Sequence, residues 1–585
     1  MSSEEKIREE IEKVIHEAGF SFSAFSLTEP DDKSHGDFAT NIAFLIAKEE
    51  KNSPKSCADK YAPLLQKKLV SLVDDTQVAG PGFINFFLKP EVIRGESKIV
   101  GQITTKFTGK KVLVEHSSPN LFKPFHIGHL MNNIVGEFLT RGVSLANRDN
   151  VTTLCFPSDI SFGIAKAVSV LLKEEDENTP LFTTFKAIEY DEDLTAVVTY
   201  LGDCYVRGTA LLQENPTVET AVREVSKKLY DAIDGKGDTD IREYKLWSHA
   251  HAINTRYFET VIESIGSKMG KPLFESEVSG VGKEIVMEHT PDVFTLSEGA
   301  VVYIPDEERK DINTSVFVNS EGHPTYEAKD LGLIDKKFSL YPETDLSFFV
   351  TDAEQSQHFK VVLDAASKLG IKWEERVKKS IHVPHGRMLF KGQKMSSRLG
   401  GVPLALDVIS VVEEEVRERA GEKIANLSQE EKDKLTREIA LSALRVAVLR
   451  SKPGININFD PETSLSFEGD SGPYLLYTHA RCSSLLEKGK DIESDFDSAV
   501  SAGTLERTLL HFNETFKESI EDIAPQKLVT YLFRVAQEFN SFYAGEQILT
   551  EDKKKTSHNL AIVLWTKEVL KQGLYVLGIT ATERM

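Results

Sequence analysis

The chain has 585 residues, 40% of them hydrophobic and 28% charged, and a formal net charge of -21. Such a length predicts roughly three or four domains, and the composition excludes a mainly disordered or fibrous protein. The acidity excludes affinity built on nonspecific phosphate neutralisation, though a local basic groove on an acidic protein can still bind a shaped RNA.

The amino terminus, MSSEEKIREEIEKVIHEAGF, is acidic and amphipathic rather than a basic leader with an apolar core. No run approaches the roughly 18 apolar residues needed to span a bilayer, so a cytoplasmic protein with no membrane partner is expected. Cys57, Cys155, Cys204 and Cys482 lie singly, without the clustering that zinc needs; no protein-bound zinc is expected, and a reducing compartment fits best.

Residues 1–105 read as an α+β domain: a helix over 3–18, a second in GDFATNIAFLIAKE, then Gly80, Pro81 and Gly82 turning into an apolar strand in GFINFFLKPEVI. After a polar linker, KKVLVEHS at 110–117 is a short run of buried-strand type. HIGHLMNNIVGEFLTRGVSLA then has helical periodicity through Leu130, Ile134, Val135, Phe138 and Leu139. VTTLCF at 151–156 predicts the next parallel strand of a doubly wound sheet. Helix-like and acidic stretches such as KEEDEN interrupt the pattern, and strands resume at LSFFVTD, 346–352, and SIHVPHGRMLF, 380–390. The expected architecture is a Rossmann-type α/β catalytic domain over 106–403 with a connective insertion at about 165–300, followed by an all-α domain over 404–585. In the latter, PQKLVTYLFRVAQEFNSFY opens on a first-turn proline and aligns Leu528, Leu532, Val535, Phe539 and Phe542 on one helix face.

Ligands of a parallel sheet gather beyond the carboxyl ends of its strands, where a helix amino terminus offers free N–H groups to phosphate. EHSSPNLFKPFHIGHL, 115–130, falls there. Gly128 leaves room for a flat base or ribose, and His126 and His129 can donate to phosphate oxygens; an isolated HxGH is equally a turn with surface histidines. FKGQKMSSRLGG, 390–401, combines glycines, cations and hydroxyls as a loop that closes on phosphate would, or is simply a solvated loop.

Together and in this order the two stretches resemble the signature sequences of class I aminoacyl-tRNA synthetases. TYEAKDLGL at 325–333, SFEGDSGPYLLYTHAR at 466–481, GDFATN and AGPGFINF near the front and the terminal LGITATERM are similar to the arginyl-tRNA synthetase family, across residues from about 35 to 585. The resemblance implies a ligase in which the carboxylate of L-arginine attacks the α-phosphorus of ATP, carried with Mg2+, and expels pyrophosphate. The arginyl group then passes to the terminal adenosine of tRNA(Arg), and adenylate formation needs bound tRNA. A monomer is expected. A noncatalytic tRNA-binding paralogue would lose these residues, and a small-molecule adenylyl-transferring enzyme would have no use for the long helical carboxyl part.

A guanidinium offers only donors, so its pocket needs carboxylates and an aromatic wall. Glu115, Tyr326 and Asp330 stand where the family binds the guanidinium, Asn120 and Gln355 where it holds the backbone groups of the amino acid, with Ser118 assisting. The resemblance gives ATP to His126, Gly128, His129, Lys394, Met395, Ser396, Ser397 and Arg398. KMSSR departs from the class, which usually has a lysine at the position of Ser397; members of the family are thought to use one ahead of the first signature. Lys123 stands there, so it is assigned the missing charge, and Lys123, His126 and His129 form the catalytic set. The front domain, with Phe83, Asn85 and Phe87, resembles the module that contacts the tRNA elbow, and the helical domain resembles the anticodon-binding bundle, with Tyr477, Arg481, Tyr543 and Lys553 to Lys555 as expected contacts.

Overall fold

The computed structural model describes residues 2–585 other than 23, 31, 148–149, 175–193, 216, 391–402 and 422–426. Two compact units form, Phe107–Leu465 and a second in which Met1–Lys106 joins Ser466–Met585.

The second unit opens with the helix Ser3–Glu17, started by a capping box between Ser2 and Glu5. An antiparallel sheet follows, made of β1 (Leu27–Thr28), β2 (Phe38–Thr40), β3 (Val73–Ala79) and β4 (Phe83–Leu88) in the order β1-β2-β4-β3. The turn into β4 requires glycine: Gly80 and Gly82 have φ of 53° and 142°, and a Cβ on Gly82 would lie 2.7 Å from the backbone of Pro54. The carboxyl-terminal part of this unit is helical, with long helices Gly472–Lys488, Pro525–Gly545 and Lys553–Val576. Its tie to the front domain includes a buried ion pair, Arg94 Nε to Glu506 Oε1 at 2.7 Å.

The larger unit carries β5 (Val112–Glu115), β6 (Val151–Cys155), β7 (Lys271–Pro272), β8 (Phe294–Ser297), β9 (Ala300–Tyr303), β10 (Ser315–Val318), β11 (Leu346–Asp352) and β12 (Ser380–His385). Five of these form a parallel sheet ordered β12-β11-β5-β6-β7, the doubly wound arrangement in which the winding direction reverses between β5 and β11. The apolar runs expected as strands bury Val112, Leu113, Val114, Phe348 and Val350.

The interruption has two parts. Helices Phe162–Glu174, Leu194–Glu214, Val218–Ile233 and Arg242–Ser264 separate β6 from β7; the helix Glu275–Glu288, an antiparallel sheet ordered β10-β9-β8 and the helix Tyr326–Leu340 separate β7 from β11. SIHVPHGRMLF is also divided. After β12 the chain breaks at Gly386, where a Cβ would lie 2.0 Å from the Ile455 carbonyl oxygen, and Met388–Phe390 becomes β13, paired in parallel with β14 (Ile457–Phe459) in a separate sheet. Helices Ala405–Ala420 and Gln429–Leu449 pack on one another and on the helix Ile127–Asn147, so this unit extends past the position expected to begin the all-α domain, to Leu465.

Candidate active site

β5 ends at Glu115, and the chain turns through residues 116–126 into the helix Ile127–Asn147. Two residues of that turn, Ser117 and Phe122, adopt left-handed backbone with φ of 57° and 59°, a conformation that non-glycine residues keep only when their surroundings fix it. The surroundings are dense here. Ser117 N–H donates to Asn132 Oδ1 at 2.6 Å, and Asn132 Nδ2 donates to the Val350 carbonyl on β11 at 2.5 Å. Asn133 Nδ2 donates to the hydroxyls of Ser117 and Ser267, each at 2.9 Å, and Phe122 N–H donates to Asn254 Oδ1 at 3.1 Å. Gly136 admits the His116 ring, which would lie 2.1 Å from a Cβ at that position.

The turn delivers His126 and His129 as a stacked pair, ring centroids 3.7 Å apart and planes within 18°. Gly128 N–H donates to His126 Nδ1 at 3.1 Å, and His126 N–H donates to His129 Nδ1 at 3.3 Å. Each Nδ1 is therefore an acceptor, which places the proton of the neutral ring on Nε2. Burial, then the charges of Lys123 and His385, hold His126 down to about 4; burial, His126, Lys123 and His385 hold His129 well below the usual histidine range. The pair presents two neutral Nε2–H donors. Gly128 has an internal reason as well as the expected one, since a Cβ there would lie 2.9 Å from the His126 ring.

Lys123 does not hang free in solvent. Its Nζ sits 4.4 Å from the centroid of the Tyr205 ring, a cation–π seat, and Tyr205 fits because Gly163 has no side chain to strike its hydroxyl, 2.2 Å from a Cβ there. His385, the last residue of β12, is buried with Nδ1 2.9 Å from the Gly386 carbonyl oxygen. No motif marks it; its position at the carboxyl end of a parallel strand is the signal that could have found it.

The residues expected to read arginine occupy neighbouring strand ends and one helix. Glu115 is buried, and its Oε2 is ion-paired with the equally buried Lys337. Burial raises the Glu115 carboxyl most, Lys337 draws it back, and Asp330 raises it again, leaving it above its ordinary value. Asp330 points away from the adjacent Lys329: its Oδ2 accepts from His358 Nε2 at 2.5 Å, whereas Lys329 donates to Glu275 Oε2 at 2.7 Å and to the Ile160 carbonyl at 2.6 Å. His358 Nδ1 lies 3.7 Å from Glu327 Oε1. Although burial alone would lower it, the hydrogen bonds and charges of Asp330 and Glu327 raise His358 to about 10. Tyr326, 56% exposed, offers its ring at the start of the helix, 5.2 Å from Lys329 Nζ.

Gln355 is exposed and stands immediately before the helix Ser356–Ser367, just after β11, with no capping hydrogen bond from its side chain. Asn120 is half-buried and bridged to Ser158. Ser118 Oγ accepts from Phe156 N–H at 2.9 Å, which occupies it in holding the loops together. Lys394, Met395, Ser396, Ser397 and Arg398 lie outside the described residues.

In the other unit, Tyr477, Arg481 and Tyr543 come together. The guanidinium of Arg481 lies between the two phenol rings, 4.6 and 4.7 Å from their centroids, and donates to Asn540 Oδ1 at 2.6 Å and to the Tyr477 hydroxyl at 2.7 Å. Tyr477 and Tyr543 are 37% and 40% exposed, so the stack offers flat faces and a cation at the surface, which suits unpaired bases. Phe83 is exposed and packs on Phe44, Phe87 is half-buried, and Asn85 is buried in β4 and is not presented at the surface. Lys554 is paired with Asp497 at 3.1 Å and Lys555 with Glu546 at 2.8 Å, while Lys553 is the first residue of its helix and exposed.

Residues 96–460 match the family model of the class I (R) tRNA synthetase catalytic domain, residues 4–88 the arginyl tRNA synthetase N-terminal domain and residues 475–585 the DALR anticodon binding domain. The chain is 29% identical to an arginine–tRNA ligase of Exiguobacterium sibiricum, with 99% of this chain and 96% of that one aligned. It is 28% identical to one of Thermococcus kodakarensis, with 99% and 98% aligned. The structure of a Thermus thermophilus arginyl-tRNA synthetase superposes with a TM-score of 0.79 at 24% identity over the whole of both chains. That of a Plasmodium falciparum arginyl-tRNA synthetase superposes with 0.75 at 18%, over 100% of this chain and 98% of that one. At these identities the structural matches establish a shared fold.

Proposed function

The chain belongs to the class I (R) tRNA synthetase family and charges tRNA with arginine at the expense of ATP; we propose that the residues gathered between β5 and β11 carry that reaction. The observation that supports this most is the stacked, neutral pair His126 and His129 at the helix start beside the reversal of the sheet.

The carboxylate of arginine displaces pyrophosphate from the α-phosphorus of ATP, so the protein supplies no covalent nucleophile; positioning and stabilisation of developing charge carry the step. Nε2–H groups of His126 and His129 donate to phosphate oxygens as negative charge shifts towards the leaving pyrophosphate. Lys123, seated on Tyr205, supplies the cation for which the second signature has Ser397. Lys394, Met395, Ser396, Ser397 and Arg398 complete the nucleotide site, and Mg2+ enters with ATP as part of the substrate. On the amino-acid side, Asp330 and Glu115 meet the guanidinium against Tyr326, and Asn120 and Gln355 hold the backbone groups. Ser118 acts by fixing the loop.

The arginyl group passes to tRNA(Arg), whose unpaired bases stack on Tyr477, Arg481 and Tyr543, while Phe83 serves the front domain. The protein works as a monomer in the cytoplasm. Its four cysteines are free and buried, in keeping with a reducing compartment, and among the described residues no helix is long and apolar enough to cross a membrane.

ATP–pyrophosphate exchange with each amino acid, with and without tRNA, tests this reading. Exchange is expected with arginine and with tRNA present. Exchange with another amino acid and not arginine overturns the substrate; exchange without tRNA overturns only the coupling to tRNA.

A further inference from the structure

The Asp330 carboxylate does not stand alone. Asp330 and Glu327 are three residues apart on the helix Tyr326–Leu340, and one imidazole from a different helix lies between them: His358 Nε2 is 2.5 Å from Asp330 Oδ2 and Nδ1 is 3.7 Å from Glu327 Oε1. His358 sits three residues after Gln355, which stands at the start of the helix Ser356–Ser367, and residues at that spacing share a helix face. We propose that His358 is a positioning residue for arginine: it fixes one oxygen of Asp330, leaving the other for the guanidinium, and sets the Asp330 helix against the helix that carries Gln355.

The charges support the same role. Around this pocket Glu115 is paired with Lys337, while two carboxylates, Glu327 and Asp330, meet the single cation His358, so one negative charge is left for one guanidinium. The protonated ring suits the bridge because only then are both nitrogens donors, and its raised pKa keeps it so at neutral pH. Removal of the ring would leave Asp330 free to change rotamer and would place two uncompensated carboxylates side by side.

This inference rests on the assignment of Asp330 to the guanidinium, and a double-mutant cycle separates the two. His358→Ala, His358→Gln, Asp330→Asn and the double variant Asp330→Asn/His358→Ala are compared in full-length protein by aminoacylation at saturating tRNA. His358→Ala is expected to raise the arginine KM about tenfold with the ATP KM unchanged, and His358→Gln, which keeps one donor and the volume, about threefold. In the Asp330→Asn background the loss of His358 should add less than twofold. Parallel rises in the arginine and ATP KM, or a full His358 effect without the Asp330 charge, overturn the positioning role. A large Asp330→Asn effect with none from His358→Ala or His358→Gln overturns it while leaving the pocket in place. No effect of Asp330→Asn overturns the pocket assignment and with it this inference. If His358→Ala does not fold, His358→Gln carries the comparison.

Discussion

Two histidines of the same unit stand in opposite protonation states. His358 lies between Asp330 and Glu327 and is held up to about 10, whereas His126, stacked on His129 and facing Lys123 and His385, is held down to about 4. Burial is the main cause of the low value at His126, and Lys123 adds to it; at His358 the two carboxylates outweigh burial. On the proposed arginine side the fold places cations, His358 and Lys337, beside carboxylates that must present negative charge to a guanidinium. On the proposed nucleotide side one lysine provides the charge and the histidines serve as uncharged donors, which avoids crowding three cations before the phosphates arrive. A histidine in a motif is therefore not a charge until its neighbours are known.

Loss of the carboxylate on the first side should have the largest effect. Asp330→Asn is expected to raise the arginine KM in tRNA-supported exchange about 100-fold, ~2.7 kcal/mol at 1.36 kcal/mol per decade, while the ATP KM holds. A rise confined to ATP would place Asp330 on the wrong side. Removal of the cation from the second side comes next. Lys123→Ala should lower the exchange rate at least tenfold, ~1.4 kcal/mol of barrier, with the arginine KM unchanged; a near-normal rate would refute its role as substitute for the absent lysine. The mildest probe is pH. Because His126 is depressed to about 4, it stays neutral as pH falls from 8 through 6, and acid inactivation of exchange due to this pair should begin only as pH approaches 4 to 5. A titration in exchange near 6.5 that disappears in His126→Asn would show an ordinary, solvated imidazole instead.

Much of this arrangement is legible in the sequence where local pattern decides structure. LSFFVTD forms β11 over its whole length and VTTLCF all but its last residue, because short β-rich apolar runs have one way to be buried in a parallel sheet. What escaped was set by tertiary partners. β7 is two residues long and has no pattern of its own, and β8, β9 and β10 lie in a stretch whose sequence is dominated by helix-like and acidic runs. Asn132 and Asn133 look like polar interruptions of an apolar helix face, yet their side chains hold the turn that positions the histidines. His358 lies in the same QSQHF segment as Gln355, but nothing in its spacing shows that Asp330 and Glu327 will meet it across a packed helix pair. Lys337 is equally hidden, since a lysine eleven residues after the helix start reads as solvated until β5 brings Glu115 against it.

The left-handed corners at Ser117 and Phe122 enclose Ser118, Pro119, Asn120 and Leu121. A segment bent at both ends and tied along its length behaves as a strut of set length rather than a tether. Insertion or deletion of one residue there would swing the helix that carries His126 and His129 relative to Glu115, not merely slacken the loop. The gap between the two proposed binding regions is thus a manufacturing dimension of the backbone, set by hydrogen bonds within the protein itself.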